Sequence, residues 1–357
     1  MIVNLLPQIK RIIHDNLKTT RTYIILSLLL VILAALNIAL GSVRIPLGAV
    51  ADILSGGDGG NQAWRVIVLQ SRVPQCITAL FCGAALSAAG LMLQTTLANP
   101  LAGPSILGIT SGASLGVAVV ALASGCSFSA AGSLMGLTAT IAGALVGAFV
   151  VLVVILLLSS VIKSNAMLLI AGMMVGYVAS SLISILNFFA TAEGVHSYTI
   201  WGLGSFSGVS LSQMPVFVST VSAGLLLAVL LIKPLNALLL GANYAENLGV
   251  NIRRVRSLLL VATGLQSAIV TAFCGPISFI GLAVPHVARM VIGSSNHNVL
   301  MPVTMLVGAV VALACNLVCL LPGNAGVLPL NAVTPFFGAP VVIYVIVSKK
   351  RMRSFEL

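Results

Sequence analysis

The chain has 357 residues, of which 59% are hydrophobic and only 6% charged, with a mean hydropathy of +1.16. Soluble globular domains carry about 25% charged residues, so this composition excludes a water-soluble fold and points to a polytopic membrane protein. The net charge of +11 implies no nucleic-acid partner, because the basic residues cluster at the ends of apolar segments and so read as topology signals.

Residues 1–21 form a basic, partly amphipathic lead. No small-residue cleavage site follows Lys10, Arg11, Lys18 and Arg21, so no cleavable signal is expected. The first span is Tyr23–Leu40, which at about 1.5 Å per residue nearly crosses a hydrocarbon core of about 30 Å. Gly41–Trp64 is a glycine- and aspartate-containing loop with a short helical piece after Pro46. The next spans are Cys76–Leu97, Ile106–Leu122, Gly132–Leu158 and Ala166–Ala190, followed by an irregular Gly/Ser stretch at Thr191–Gly208. Met214–Ile232 then leads into Pro234–Arg256, the only long polar interruption of the C-terminal half. That stretch opens on the break Lys233-Pro234 and ends in Arg253, Arg254 and Arg256. Between them lie two short helical turns, Leu235–Leu240 and Tyr244–Leu248, each closed by a glycine, Gly241 and Gly249. Ser257–Cys274, a short Phe279–Ile292, Leu300–Leu321 and Ala332–Val347 complete ten apolar spans, and residues 349–357 form a tail. The expected fold class is all-α polytopic membrane protein, a single domain of about ten transmembrane helices over residues 22–348, with a polar loop at 233–256.

An even number of spans puts both termini on one side. With the N-terminus inside, every basic residue except Arg44, Arg65 and Arg72 lies on the inner face, as the positive-inside rule favours. No span carries a carboxylate: Asp15, Asp52, Asp58, Glu193, Glu246 and Glu356 all fall in loops or termini. Ion-coupled carriers commonly place carboxylates at membrane depth, and no Gly-Lys pair is present to build a phosphate-binding loop. The chain is therefore expected to be no enzyme and to borrow its energy from a separate ATPase; a secondary carrier is the alternative. The cysteines show no metal or redox spacing: Cys126 lies in a loop, and Cys315 and Cys319 share a helix face but read as packing residues. Glycines four residues apart, at Gly108/Gly112/Gly116, Gly132/Gly136, Gly143/Gly147 and Gly172/Gly176, predict close helix–helix approach. The fifth span carries Met167, Met173 and Met174, which either contact a bulky ligand or fill packing gaps. It also carries a polar stripe, Ser180, Ser184 and Asn187, which either lines a pathway or bonds a neighbouring helix. His286 and Arg289, three residues apart on a short span, read as structural rather than as a ligand site.

Three stretches carry a family resemblance. Arg72-Val-Pro-Gln75 with GAALSAAGLMLQTTLANPLAGPSILGITSGA (Gly83–Ala113) resembles the N-terminal fingerprint of the FecCD family, the permeases of iron-siderophore, haem and cobalamin importers. GPISFIGLAVPHVAR (Gly275–Arg289) with LPLNAVTPFFGAPVVIY (Leu328–Tyr344) resembles its C-terminal fingerprint, and LGAN with AENLGVNIRRVR resembles its coupling loop. The resemblance implies a bacterial inner-membrane permease with cytoplasmic termini, working as a homodimer with two ATP-binding cassette ATPase subunits and an extracytoplasmic binding protein. ATP and Mg would be held by the ATPase, and this chain would bind no cofactor. It implies ATPase coupling through Leu239, Gly241, Ala242, Tyr244, Leu248 and Gly249, and a cytoplasmic gate at Ser164, Asn165 and Ala166. It implies a pathway along Met167, Met173, Ser180, Ser184 and Asn187, and binding-protein docking at Arg72, Gln75 and Trp64. The chain departs from the family where a second arginine is replaced by Gln75 and where Ala242, Asn316, Leu320 and Val327 stand at positions often charged, so a less charged outer face is expected.

Overall fold

A computed structural model describes residues 5–123, 134–321 and 326–353, and every regular element among them is helical. Cys126, Gly132 and the end of the tail lie outside the described residues.

In chain order, α1 spans Leu5–Ala39, α2 Leu47–Leu54 and α3 Gln62–Val66. Asn61 starts α3, its side chain accepting from the Ala63 amide, and α3 runs through a π-helical stretch, Ile67–Arg72, into α4, Val73–Thr96. The second span thus begins well before Cys76, as one helix from Gln62 to Thr96 whose π-helical stretch directly precedes Pro74, a residue that cannot donate to the turn before it. α5 is Ile109–Ala118, prolonged by a π-helical Val119–Ala123; α6 is Leu134–Val161 and α7 is Asn165–Phe189. The Gly/Ser stretch holds α8, Ala192–Gly202, which covers the end of α5. Burial there raises the Tyr198 phenol above its usual pKa, with a hydrogen bond to Ser114 pulling it back.

α9, Met214–Leu230, bends by 45° into α10, Ile232–Leu239, so Pro234 sits inside the first turn of α10 rather than breaking it. α11 is Ala242–Asn247 and α12 is Ile252–Cys274. The polar loop is shorter than expected: Asn251 caps α12 by accepting from the Arg254 amide, so Arg253, Arg254 and Arg256 are helical. α13, Ile280–Ile292, α14, His297–Cys319, and α15, Leu330–Arg353, complete the chain.

Each of the ten expected apolar segments coincides with a helix, but they are not ten equal crossings. Six are long and apolar enough to span a bilayer among the described residues, and the bent α9–α10 pair makes a seventh. Ile109–Leu122, Ile280–Ile292 and Leu330–Val345 are shorter. Short and broken helices are tolerated at membrane depth where neighbouring protein satisfies their ends.

α4 is the centre. Of the residues in its apolar window 83% are buried, against 17% for α1 and 28% for both α6 and α7. It packs against α14, α13, α12 and α9. Glycine makes the approach possible: a Cβ at Gly83 would strike the Gly308 carbonyl of α14, and one at Gly90 the Gly281 carbonyl of α13. Gly112 and Gly116 of α5 interlock with Gly147 and Gly143 of α6 in the same way, while Gly172 and Gly176 of α7 meet Leu107 and Gly108.

Candidate coupling site, gate turn and outer face

α10 and α11 project from one end of the bundle. Leu231, Ile232 and Leu235 are buried and anchor α10 by one face, leaving Leu239 and Leu240 exposed. Gly241 reverses the chain at φ +96° and Gly249 closes α11 at φ +83°. The close is a Schellman motif: the Val250 amide donates to the Ala245 carbonyl at 3.0 Å and the Gly249 amide to Glu246 at 2.9 Å. Between residues 239 and 249 only Ala245 is buried. Leu239, Tyr244 and Leu248 thus form an apolar ridge, with Ala242 also exposed. A cleft of about 730 Å³ opens beside it, lined by Leu238, Leu239, Gln94, His286, Arg289 and Tyr344 among others.

Polar contacts that the sequence did not announce hold α10 in place. Asn236 Oδ1 accepts from the His297 amide at 2.8 Å and from its Nδ1 at 3.0 Å, while Asn236 Nδ2 donates to Asn296 Oδ1 at 3.1 Å. The acceptor fixes the tautomer, so His297 Nε2 accepts from the Thr95 hydroxyl, 2.9 Å away, whose single proton is shared with the Leu91 carbonyl. His297 is buried, and α10 is thereby pinned to α14 and α4. The only signal in the sequence was a cluster of polar residues, Ser294 to Asn298, ahead of an apolar helix. His286 and Arg289 brace the same end: His286 Nε2 lies 2.8 Å from the Pro100 carbonyl and Arg289 donates to Gln94 Oε1 at 2.7 Å.

The turn between α6 and α7 lies at this end too. Ser164 caps α7, accepting from the Met167 amide, and Asn165 Nδ2 donates to the Thr96 carbonyl at 3.4 Å. Ser164 and Ala166 are exposed. Beyond the turn, α7 buries Leu168, Leu169, Gly172, Gly176 and Ala179 and exposes much of the opposite face. Met167 is 62% and Met173 38% exposed, so neither fills a gap within this chain. Ser180 donates to the Gly176 carbonyl and Ser184 to the Ser180 carbonyl, each at 3.0 Å, so both hydroxyls return to their own helix, and among the described residues neither bonds a neighbouring helix. Asn187 Oδ1 is shielded and makes no hydrogen bond among the described residues.

At the opposite end Arg72 is 5% exposed and donates to Ile38 at 2.9 Å, Ala39 at 2.7 Å and Val43 at 2.5 Å. These carbonyls lie at and just past the end of α1, where helix carbonyls lack partners and the dipole attracts a cation. Gln75 is half-buried and donates to Asn316 Oδ1 at 3.0 Å, and Asn316 donates to Asn37 Oδ1 at 2.7 Å. The neutral residues at 75 and 316 therefore belong to an internal amide chain. Trp64 packs on a small cluster of Ile45, Val50, Ile53 and Val68. Among the described residues no group of three or more His, Cys, Asp or Glu is placed to hold a metal.

Residues 29–348 match the FecCD transport family. The vitamin B12 import system permease protein BtuC of Salmonella typhimurium is 33% identical over 299 residues, covering 84% of this chain and 89% of that protein. The protein of the same name from Klebsiella pneumoniae is 34% identical over 287 residues, 80% of this chain and 84% of that one. A solved structure described as an inward-facing conformation of a putative metal-chelate type ABC transporter shares the fold at a TM-score of 0.77 and 30% identity, covering 91% of this chain and 97% of that chain.

Proposed function

Because the chain belongs to the FecCD transport family and is an ATP-binding cassette importer permease, we propose that its cargo is a bulky metal chelate of the cobalamin or iron-complex class. The named relatives support this class: one set imports vitamin B12, and the structural neighbour is described as a metal-chelate transporter. We infer that two ATPase subunits, which hold ATP and Mg, bind the ridge of Leu239, Tyr244 and Leu248. A second copy of the chain would face the exposed side of α7, and a binding protein would deliver cargo to the other end. The basic residues at the ridge end, Lys18, Lys163, Lys233, Arg253, Arg254 and Arg256, support a cytoplasmic placement of that end and of both termini in a bacterial inner membrane.

The observation that carries the reading is the ridge itself. It is an exposed apolar pair of short helices whose first member, α10, is pinned through Asn236 and His297 to the central helices, so a push on it moves structure rather than a loose loop. The test is uptake into vesicles holding the permease, its ATPase and its binding protein, with radiolabelled cyanocobalamin, a ferric siderophore and haem offered in turn. Uptake of one chelate that requires ATP is expected. Uptake that follows an ion gradient without ATP would return the secondary carrier, which the family match does not support.

A further inference from the structure

The ridge has one pinned helix and one that is not. α10 is tied by Asn236 to α14 and α4, whereas α11 lies between two positive-φ glycines, Gly241 and Gly249, and leads through Asn251 directly into α12. Gly241 lets α11 swing relative to α10, while the Val250 amide bonded to the Ala245 carbonyl holds the end of α11 against the start of α12, so a displacement of the ridge passes through α11 to the first turns of α12.

Arg256 is the residue in those turns that touches the gate. Its Nη1 donates to the Ile162 carbonyl at 3.2 Å and to the Lys163 carbonyl at 3.5 Å. These carbonyls end α6 immediately before Ser164, where the helix dipole also favours a cation. Its Nε and Nη2 are shielded from solvent and make no hydrogen bond among the described residues. A guanidinium offers five donors, and this one spends a single nitrogen on two long bonds. Such an arrangement is under-committed, with donors in reserve for a second position of the same turn.

We propose that Arg256 is a positioning residue that carries movement of the coupling helices to the gate turn, gripping the carbonyls that precede Ser164 and re-bonding them as the turn shifts. The proposal rests on the reading of α10–α11 as the ATPase contact and of residues 164–166 as the gate.

The test uses the permease assembled with its ATPase in lipid, with Asn165→Cys as a reporter that crosslinks the two copies. Crosslinking is compared between nucleotide-free and ATP-trapped samples for three forms: Arg256, Arg256→Met and Arg256→Lys. With Arg256 the two states are expected to differ by roughly threefold or more. In Arg256→Met the difference is expected to vanish although the complex still hydrolyses ATP, and Arg256→Lys, which reaches one carbonyl, is expected to restore part of it. An undiminished difference in Arg256→Met overturns the proposal and leaves the gate reading intact. Equal crosslinking in both states with Arg256 itself removes the gate reading and the proposal together. If Arg256→Met does not assemble, Arg256→Lys decides, since a full response there overturns the tie.

Discussion

The guanidinium of Arg72 reaches three carbonyls because Gly41 leaves room for it; a Cβ at Gly41 would lie 2.9 Å from Arg72 Nε. Removing the side chain leaves these part-buried carbonyls without their donor, at a cost of up to about 1–3 kcal/mol, the figure for a fully buried unsatisfied group. Arg72→Ala is therefore expected to lower the thermal stability of the purified permease. Binding-protein association should fall only with the folded fraction. Thermal unfolding and association measured on the same preparation check this. Full stability combined with slowed association would restore Arg72 as a docking charge.

The helix pair proposed to meet the ATPase turns on the hinge at Gly241. Nothing lies within 4 Å of the position a Cβ would take at Gly241, so crowding does not select glycine there. The backbone does: φ +96° and ψ 151° lie in a region that a β-branched residue scarcely adopts, at a cost of about 1–3 kcal/mol. Gly241→Val is expected to insert normally, to re-aim α11 against α10, and to lower the chelate carried per ATP hydrolysed several-fold. Parallel measurement of hydrolysis and uptake reads that ratio directly, and an unchanged ratio would remove the coupling role from this turn.

At the ridge end, Lys18, Arg21, Lys163, Lys233, Arg253 and Arg254 are all exposed, against one exposed carboxylate among the described residues, Glu246. Such a surface draws an acidic partner, and its pull acts mainly on association rate. Raising ionic strength from about 0.1 M to about 1 M shortens the screening length from about 10 Å to about 3 Å. Binding of the ATPase to the permease in detergent is accordingly expected to slow with salt while its dissociation changes little. A salt-independent association rate would mean that the apolar ridge recruits the ATPase without help from this charge.

The bilayer acts on each segment locally, so hydropathy alone located the ten apolar segments, and the glycine spacing in α5 and α6 anticipated their interlock. Helix signals that lie within a few residues were also legible: the glycines closing α10 and α11 stand where the sequence put them. The polar ties were not. Arg72 meets Ile38 across 34 residues, Asn236 meets His297 across 61, Arg256 meets Ile162 across 94 and Thr95 meets His297 across 202. Which helix ends share a neighbourhood depends on how all the other helices pack. A polar residue at the end of an apolar segment therefore has no partner until that packing is complete, and the packing sets Arg72 on the carbonyls at the end of α1 and Arg256 on the carbonyls before Ser164.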